Sequence, residues 1–375
     1  MTLSAHTRNI VTLLTIILAL PRVIAQDMPD TTACAPATPT TTQLSLLFAG
    51  DFMQHLAQIE AAQTDSGYCY DDCWQYVRDE ISRADIAIGN FETTLGGKPY
   101  NGYPSFCAPD EFFTSLVDAG FDIFLTSNNH SLDTGKRGIE RTISRMNEED
   151  RIAQVGTYID RADRDNRYPY VFEKNGIKIA LLNYTYGTNG LTESAPNIVN
   201  RIDTTIMAQD IAKARAAAPD AIIACMHWGI EYDQQPNKSQ YELADWLIAH
   251  GVDHIIGSHP HVIQPLEMRQ DSAGKEHLVV YSLGNYISNM KIRATDGGMM
   301  VRLVLEKDSV SRVADCGYSL VYTARPVKSG KKNFELIPAA RPREEYTEAV
   351  KQGMQIFLDD TRKLLKTSNI AEYYF

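Results

Sequence analysis

The sequence lacks an excess of positive charge. It contains 36 lysine and arginine residues against 47 aspartate and glutamate residues, for a net charge of −11. A field of that sign repels nucleic acids and anionic membrane surfaces, so the charge disfavours a nucleic-acid-binding protein. An anionic substrate would need a local positive charge to oppose this field, and a bound metal ion would supply one.

Long apolar runs are also scarce. The run 10–20 is shorter than the roughly 20 residues that a membrane-spanning helix needs. Arg8 precedes this run. Val23 and Ala25 are small or apolar residues at the third and first positions before a predicted cleavage site, which follows Ala25. The pattern predicts a secretory signal peptide over residues 1–25 and an exported protein, periplasmic or extracellular, with no membrane span after cleavage. The alternative is an uncleaved segment that attaches the protein to a membrane.

Cysteine is sparse, and its spacings match no common zinc-finger pattern. All six cysteines follow the predicted signal peptide, and an oxidising compartment favours their pairing. Because Cys69, Cys73 and Cys107 lie close in the sequence, we predict one disulfide bridge among them. Cys225 stands in an apolar run and is predicted to be a buried thiol.

The rest of the chain has the pattern of an α/β protein. Residues 26–42 are rich in Thr, Pro and Ala and are predicted to be a linker. Short apolar runs then alternate with amphipathic stretches, of which 74–83 is predicted to be one helix. Asn175-Gly176 between two apolar runs indicates a hairpin, so antiparallel strands interrupt the alternation. We therefore predict one mixed α/β domain with two sheets over residues 43–375.

Five short polar clusters each follow directly on a predicted strand. In α/β folds, sites are built at the carboxyl ends of the sheet strands, so strands that end on one rim would bring these clusters together. Their Asp, Glu, Asn and His side chains suit hard or borderline divalent ions. Five of the nine histidines fall in these clusters, which scattered placement would not easily produce. The clusters are Gly50–His55, Gly89–Glu92, Ser127–His130, Met226–Gly229 and Gly257–His261.

Each cluster alone has an ordinary structural explanation. Asp51 could cap a helix, Asn129 could form a turn, and a single His227 could be a hydrogen-bonded core residue. His259 and His261 are harder to explain in this way, because residues two apart lie on one face of an extended chain. The conjunction of the five clusters is what predicts a metal site.

The order of these motifs resembles that of the calcineurin-like metallophosphoesterases. More closely, the chain is similar to the CapA branch, the bacterial poly-γ-glutamate capsule biosynthesis proteins, over about residues 44–290. The resemblance implies a four-layer α/β/β/α sandwich with two mixed sheets and two divalent metal ions, Mn, Zn or Fe, on one rim. It is carried by six motifs: Gly-Asp-Phe-Met, Gly-Asn-Phe-Glu, Asn-Asn-His, His-Trp-Gly, Gly-Ser-His-Pro-His and Tyr-Ser-Leu-Gly-Asn.

The resemblance also implies ligands for the first ion and the bridge. Asp51 and His261 would hold the first ion, and Glu92, or alternatively Asn90, would bridge the two ions. The phosphoesterase pattern has Asp-x-His in its first motif, where this chain has Met53. The binding site of the first ion, called the first position below, thus has one imidazole fewer than in the phosphoesterases, unless the nearby histidine at position 55 replaces it.

The remaining motif residues would complete the centre. The resemblance implies that Asn129, His227 and His259 hold the second ion. His130 would stand beside the leaving group as a general acid, as the Asn-His pair does in the phosphoesterases. His55 and Asn90 are additional ligand candidates.

Tyrosines in two stretches rich in Gly and Asn are candidate substrate contacts, with ordinary packing in loops and core as the alternative. The stretches are 96–104 and 183–190, and the tyrosines are Tyr100, Tyr103, Tyr184 and Tyr186.

Two functions are compatible with these features. The first is an exported metal-dependent hydrolase of capsule or envelope polymer biosynthesis, acting on a phosphoester or on an amide polymer such as poly-γ-glutamate. The second is a non-catalytic component that binds or guides the polymer with a degenerate metal site. Retention of His130 favours the first function, and Met53 favours the second. The expected partners are an anionic polymer or phosphoester and other envelope biosynthesis proteins.

Overall fold

The computed structural model describes residues 41–328, 330–341 and 344–375. The predicted signal peptide, the predicted linker up to residue 40 and Cys34 lie outside these residues. Among the helices of these ranges, none has both the length and the apolar character needed to cross a membrane.

The described strands form two mixed sheets and two short ribbons. In chain order they are β1 (Thr42–Phe52), β2 (Ile86–Phe91), β3 (Ile123–Leu125), β4 (Ala153–Val155), β5 (Thr157–Tyr158), β6 (Tyr170–Lys174), β7 (Ile177–Thr185), β8 (Ile198–Val199), β9 (Ala221–His227), β10 (His254–Ser258), β11 (Leu266–Gln270), β12 (Glu276–Val280), β13 (Asn285–Ile287), β14 (Gly297–Lys307), β15 (Ser311–Ala324), β16 (Val327–Lys328), β17 (Lys331–Lys332), β18 (Glu335–Pro338) and β19 (Ala371–Glu372).

The first sheet has the order β18-β15-β14-β1-β2-β3-β4, with β13 paired to β1 and β19 paired to β15. Strands β1 to β4 run parallel, whereas β14, β15 and β18 are antiparallel to their neighbours. The second sheet has the order β11-β12-β10-β9-β7-β6, parallel in the middle and antiparallel at both edges. The mixed α/β architecture with two sheets is confirmed, and the predicted hairpin joins β6 to β7 through Asn175-Gly176.

The helices of the described chain are short to medium in length. They are α1 (Leu56–Ala62), α2 (Asp71–Trp74), α3 (Arg78–Arg83), α4 (Asp110–Ala119), α5 (Gly135–Asn147), α6 (Arg161–Arg167), α7 (Thr204–Ala216), α8 (Lys238–Ala249) and α9 (Glu348–Leu364), with a 3₁₀ turn at Leu365–Thr367. The prediction of one helix over 74–83 is wrong. A turn closed by the bond from the Val77 N–H to the Trp74 carbonyl separates α2 from α3 and leaves both side chains buried.

Strand β1 shows how the layers are built. Its side chains alternate between the two faces of the first sheet, as the period of a strand requires. Leu46 and Phe48 belong to the core that also contains residues of β7, β9 and β10, so they pack between the two sheets. Leu47 and Ala49 belong to the core under α2, α3 and α4. Helices α7 and α8 add buried residues to the first core, so the layers are helix, sheet, sheet and helix.

The predicted disulfide bridge among Cys69, Cys73 and Cys107 is not formed in the described chain, where these cysteines are free. Their thiols have different environments: Cys69 is exposed, Cys73 is buried, and the Cys107 thiol donates a hydrogen bond to the Gly97 carbonyl over 3.1 Å. Cys225 is a buried free thiol.

Gly50 lets the end of β1 approach the segment before β13 closely. A Cβ atom at this position would lie 1.9 Å from the carbonyl oxygen of Gly284, a backbone atom that cannot move aside alone. We expect Gly50→Ala to lower the free energy of unfolding by about 1–3 kcal/mol, the usual cost of overpacking. Gly187→Ala is the matched control, because nothing lies within 4 Å of a Cβ there. Urea unfolding that gave equal stabilities for the two variants would contradict this account.

His254 at the start of β10 should make stability depend on pH. Burial lowers the pKa of His254 to about 4, and its Nδ1 accepts the Leu278 N–H over 3.1 Å. Since the unfolded chain binds a proton near pH 6.5, this contribution to stability is present above about pH 6.5 and is lost as the pH falls toward about 4. Between about pH 7 and 4, wild type should lose up to about 3 kcal/mol more than His254→Asn in urea unfolding. Equal losses of stability in wild type and His254→Asn would refute the assignment of this pH dependence to His254.

Candidate metal centre

Five strand ends meet on one rim of the sandwich. Asp51 lies opposite Asn90 in the pairing of β1 with β2, and Ser258 lies opposite His227 in the pairing of β9 with β10. The two sheets meet where Glu92 Oε1 approaches His227 Nε2 at 3.5 Å. The polar clusters predicted to converge therefore lie together, because parallel strands of both sheets end at this rim.

The converged residues offer two overlapping sets of metal ligands. One set is Glu92, His259 and His261, and the other is Asp51, Glu92 and His227. In each set the ligand atoms lie within 4.8 Å of one another, and all five residues are buried. Glu92 belongs to both sets, which is the central place that the family resemblance gave it.

Buried atoms without hydrogen-bond partners show that this donor set suits a cation. Asp51 Oδ2, Glu92 Oε1 and His259 Nδ1 are fully buried and accept no hydrogen bond. Asp51 Oδ2 is 3.3 Å from His261 Nδ1, which is within ion-pair distance but outside hydrogen-bond geometry. Buried carboxylates without partners are costly, and divalent ions coordinated by these oxygen and nitrogen atoms would offset that cost. The residues therefore fit a metal centre.

Hydrogen bonds around the centre orient its imidazoles. His261 Nδ1 is 3.1 Å from Asn285 Oδ1, so Nδ1 carries the proton and the Nε2 lone pair is free on the side of Glu92. His227 Nε2 lies 2.9 Å from Asn129 Oδ1, which brings two predicted ligands of the second ion together. Such contacts fix the ring orientation and the tautomer of metal-binding histidines.

The pKa shifts of the centre favour metal binding. Burial, followed by the charge of Asp51, raises the pKa of Glu92 well above its ordinary value. Burial, followed by the charges of neighbouring histidines, lowers the pKa of His227 and of His259 well below the ordinary value. The two imidazoles are thus neutral near pH 7, the form that binds metals, and a bound cation would displace the proton from Glu92.

The His-Pro-His segment has a strained backbone. His259 has φ 101° and His261 has φ 59°, both in the left-handed region that non-glycine residues avoid. Such conformations cost about 1–3 kcal/mol each and concentrate at functional sites. Here the strain accompanies the placement of two imidazoles in one ligand set.

His130 forms a pair with a carboxylate at the edge of the centre. Its Nδ1 is 2.7 Å from Asp133 Oδ2, and its ring packs against Phe106 with the centroids 4.6 Å apart. The Phe106 N–H also donates to Asp133 Oδ2, over 2.6 Å. Asp133 thereby fixes Nδ1 as the protonated nitrogen and leaves Nε2 free to exchange a proton. Sequence analysis missed Asp133, although its spacing of three residues from His130 could have drawn attention to it.

Both additional ligand candidates have other partners. Asn90 donates from Nδ2 to Asp51 Oδ1 over 2.7 Å and accepts from Asn128 through Oδ1 over 3.3 Å, so the geometry favours Glu92 over Asn90 for the bridge. His55 Nδ1 accepts the Asn289 N–H over 3.2 Å, and His55 is in neither ligand set. A role of His55 in place of the missing imidazole stays a prediction.

Tyr184 does not contact the site, so this substrate-contact prediction is wrong. The side chain is fully buried and donates from its hydroxyl to Asp210 Oδ2 over 2.9 Å, because successive residues of β7 face opposite sides of the sheet. Tyr100 packs against Tyr68, with the ring centroids 5.5 Å apart, and makes no ring contact with the ligand histidines in the described chain.

Other tyrosines do lie at the rim of the centre. Tyr186 is 47% exposed, and its ring centroid is 4.5 Å from that of His259. Tyr103 is exposed and packs against the phenylalanine that supports His130. Tyr232 was not predicted; it is 40% exposed and lies 6.3 Å from His261 between ring centroids. The position of this tyrosine, three residues after the His-Trp-Gly motif, could have indicated that it lies near the centre.

Comparisons with known proteins agree with these motifs. Residues 45–290 match the family described as bacterial capsule synthesis protein PGA_cap. The chain is 28% identical over 276 residues to the PGA biosynthesis protein CapA of Bacillus subtilis (strain 168), covering 72% of this chain and 70% of that protein. It is 26% identical over 315 residues to the capsule biosynthesis protein CapA of Bacillus anthracis, covering 80% and 73%.

Among solved structures, the chain is similar to the NAD nucleotidase NadN of Haemophilus influenzae, with a TM-score of 0.44 and 14% identity. The match covers 89% of this chain and 58% of that one, so this chain spans less than two thirds of its length.

Proposed function

The chain belongs to the family of bacterial capsule synthesis proteins, and we propose that it is a metal-dependent hydrolase of capsule or envelope polymer biosynthesis. The proposed substrate is a phosphoester or an amide of an anionic polymer such as poly-γ-glutamate. The observation that carries the proposal is the buried Glu92, which is shared by two ligand sets and has an unpartnered Oε1. An acid–base pair at the edge of the same cluster supports catalysis.

Two divalent ions, Mn, Zn or Fe, would be held by six residues of the rim. When bound, such ions lower the pKa of water and offset the negative charge that develops on a phosphoryl or carbonyl group. Asn129 supplies an amide oxygen and the other five residues supply carboxylates or imidazoles. The six residues are Asp51, Glu92, Asn129, His227, His259 and His261.

His130 is the proposed general acid. It directly follows Asn129, whose Oδ1 lies 2.9 Å from His227 Nε2, which supports a position at the edge of the centre. Asp133 holds Nδ1, and the packing on Phe106 holds the plane of the ring. Nε2 can therefore deliver a proton to the leaving atom of a substrate bound at the centre.

A non-catalytic role in binding or guiding the polymer is the second proposal. It is favoured by Met53, which is buried where the phosphoesterase pattern has histidine, and by His55, which is bonded elsewhere. With fewer ligands at the first position, the centre would bind polymer without hydrolysing it.

Export is also a proposal, supported by the N-terminal sequence pattern and by the capsule family. The protein would be periplasmic or extracellular, or membrane-attached through an uncleaved N-terminal segment. Envelope biosynthesis proteins would be its partners.

Turnover assays test the proposed hydrolase. Purified protein with added Mn²⁺ or Zn²⁺ is given a model phosphodiester and poly-γ-glutamate, and the metal content is measured by elemental analysis. We expect one substrate to be hydrolysed by wild type and not by His227→Ala. His250→Ala, which changes an exposed histidine outside the centre, is the matched control and should retain activity. Metal and polymer binding without turnover would favour the second proposal.

A further inference from the structure

The loop after β9 is held against the metal centre. The Tyr232 N–H donates to the Pro260 carbonyl over 2.8 Å, so the loop is tied to the His-Pro-His segment. Tyr232 has φ 67°, in the left-handed region that a tyrosine rarely adopts. Strain of this kind persists only where surrounding contacts impose it, and it is concentrated at functional sites.

Two exposed aromatic rings flank the centre. Tyr186 contacts His259 at 4.5 Å between ring centroids, and Tyr232 contacts His261 at 6.3 Å. Each ring thus touches one histidine of the same segment, and both remain about half exposed. A substrate that reaches the metal ligands would pass these rings.

Glu231 adds a negative charge to this rim. The residue is exposed and directly precedes Tyr232 in the loop after β9. In the described chain, no cationic side chain forms an ion pair with it. Burial and then the charge of Glu231 raise the pKa of Tyr186, and its charge also acts on Glu92 after burial and Asp51. Glu231 directly precedes Tyr232, whose ring contacts His261, so the carboxylate belongs to the loop that borders the centre.

The charges of the rim restrict what can bind there. Divalent ions at the centre attract an anionic or carbonyl group, whereas Glu231 repels further negative charge close by. A substrate must therefore present a neutral or positive group to Glu231. A carboxylate beside aromatic faces is the arrangement that recognises ammonium groups, through a charged hydrogen bond and cation–π attraction.

We propose that Glu231, Tyr186 and Tyr232 form a subsite for an ammonium group of the substrate. For the polymer this inference rests on the proposed function, with poly-γ-glutamate as the substrate. Each residue of a γ-linked glutamate chain carries a carboxylate, and only the amino-terminal residue carries an ammonium group. The subsite therefore selects the amino-terminal end of the chain.

The corresponding reaction removes the terminal residue. The oxygen of water bonds to the γ-carbonyl carbon of that residue, and the carbon–nitrogen bond breaks. One proton of the water reaches the departing nitrogen by way of His130 Nε2. The products are free glutamate and a chain that is one residue shorter and has a new amino terminus.

Binding measurements test the subsite without requiring turnover. A short γ-glutamate oligomer with a free amino terminus and the same oligomer with an acetylated terminus are titrated calorimetrically into metal-loaded protein. Acetylation should weaken binding to wild type about 10-fold or more, because a charged hydrogen bond is lost. Glu231→Gln should bind both oligomers about equally.

Asp233→Asn is the matched control, because it removes one negative charge from an exposed residue of the same loop. It should keep the preference for the free amino terminus. Tyr186→Leu should weaken binding of the free oligomer more than that of the acetylated one. Thermal unfolding of each variant shows that it is folded.

Several outcomes would overturn the subsite. They are equal binding of the two oligomers by wild type, an equal loss of preference in Asp233→Asn, and failure of the free oligomer to bind. A preference for the free terminus without turnover would remove the proposed hydrolase and leave the subsite standing. Turnover without that preference would remove the subsite and leave the proposed hydrolase standing.

Discussion

Glu92→Gln is expected to remove metal from the centre and to reduce hydrolysis by more than about 100-fold. Loss of residues that merely orient metal ligands costs about 10–100-fold, and a shared ligand should cost more. Glu92 belongs to both ligand sets, and its amide replacement keeps the shape but loses the charge. Elemental analysis and turnover of the same preparation measure the two losses. Full metal content in the variant would contradict the proposed bridge.

The same substitution should stabilise the metal-free protein. Burial and the charge of Asp51 raise the pKa of Glu92, so the folded state holds a proton that the unfolded state releases above about pH 4.3. The wild-type protein thus loses stability as the pH rises through the pKa that Glu92 has in the folded state, whereas a glutamine at this position does not titrate. In the presence of a chelator, the variant should show a higher urea midpoint than wild type, increasingly so at higher pH.

Glu80→Gln is the matched control for both measurements. Glu80 is also buried, at 5% exposure, but it lies 3.3 Å from Arg83 on α3 rather than beside a second carboxylate. We expect unchanged metal content and no gain in stability from this variant. A gain equal to that of Glu92→Gln would show that the effect is not specific to the centre.

His130→Ala is expected to lower kcat by about 10²–10⁴-fold while the metal content stays unchanged, as for the loss of a general acid. The loss should be smaller for a nitrophenyl ester, because nitrophenolate leaves without first taking a proton. Asp133→Asn should reduce kcat less than His130→Ala, through loss of the ring orientation and tautomer. Equal losses for good and poor leaving groups would show that His130 has a structural role only.

The convergence of the site could be predicted because its cause is local in the sequence. Polar clusters at the ends of five apolar strands need only a parallel arrangement to meet, and Asp51, Glu92, His227, His259 and His261 do meet. The sequence pattern, with Asn175-Gly176 between two apolar runs, also predicted the hairpin. These features depend on strand period and turn chemistry, which neighbouring residues determine.

Other features depended on contacts between distant segments. Tyr184 lies within β7 and is buried where its hydroxyl reaches Asp210, whereas Tyr186 lies just past the end of that strand and is half exposed. The break between α2 and α3 accompanies the burial of Trp74 and Val77 under the first sheet.

The residue types and their order along the chain were sufficient to predict the α/β class, the candidate metal ligands and the rim where they meet. Tertiary structure alone decided that Asn90 donates to Asp51, that Asp133 supports His130, and that the loop with Tyr232 borders the centre. These points depend on distances of a few ångströms between side chains far apart in sequence. Such distances follow from how two sheets pack, which no local pattern encodes.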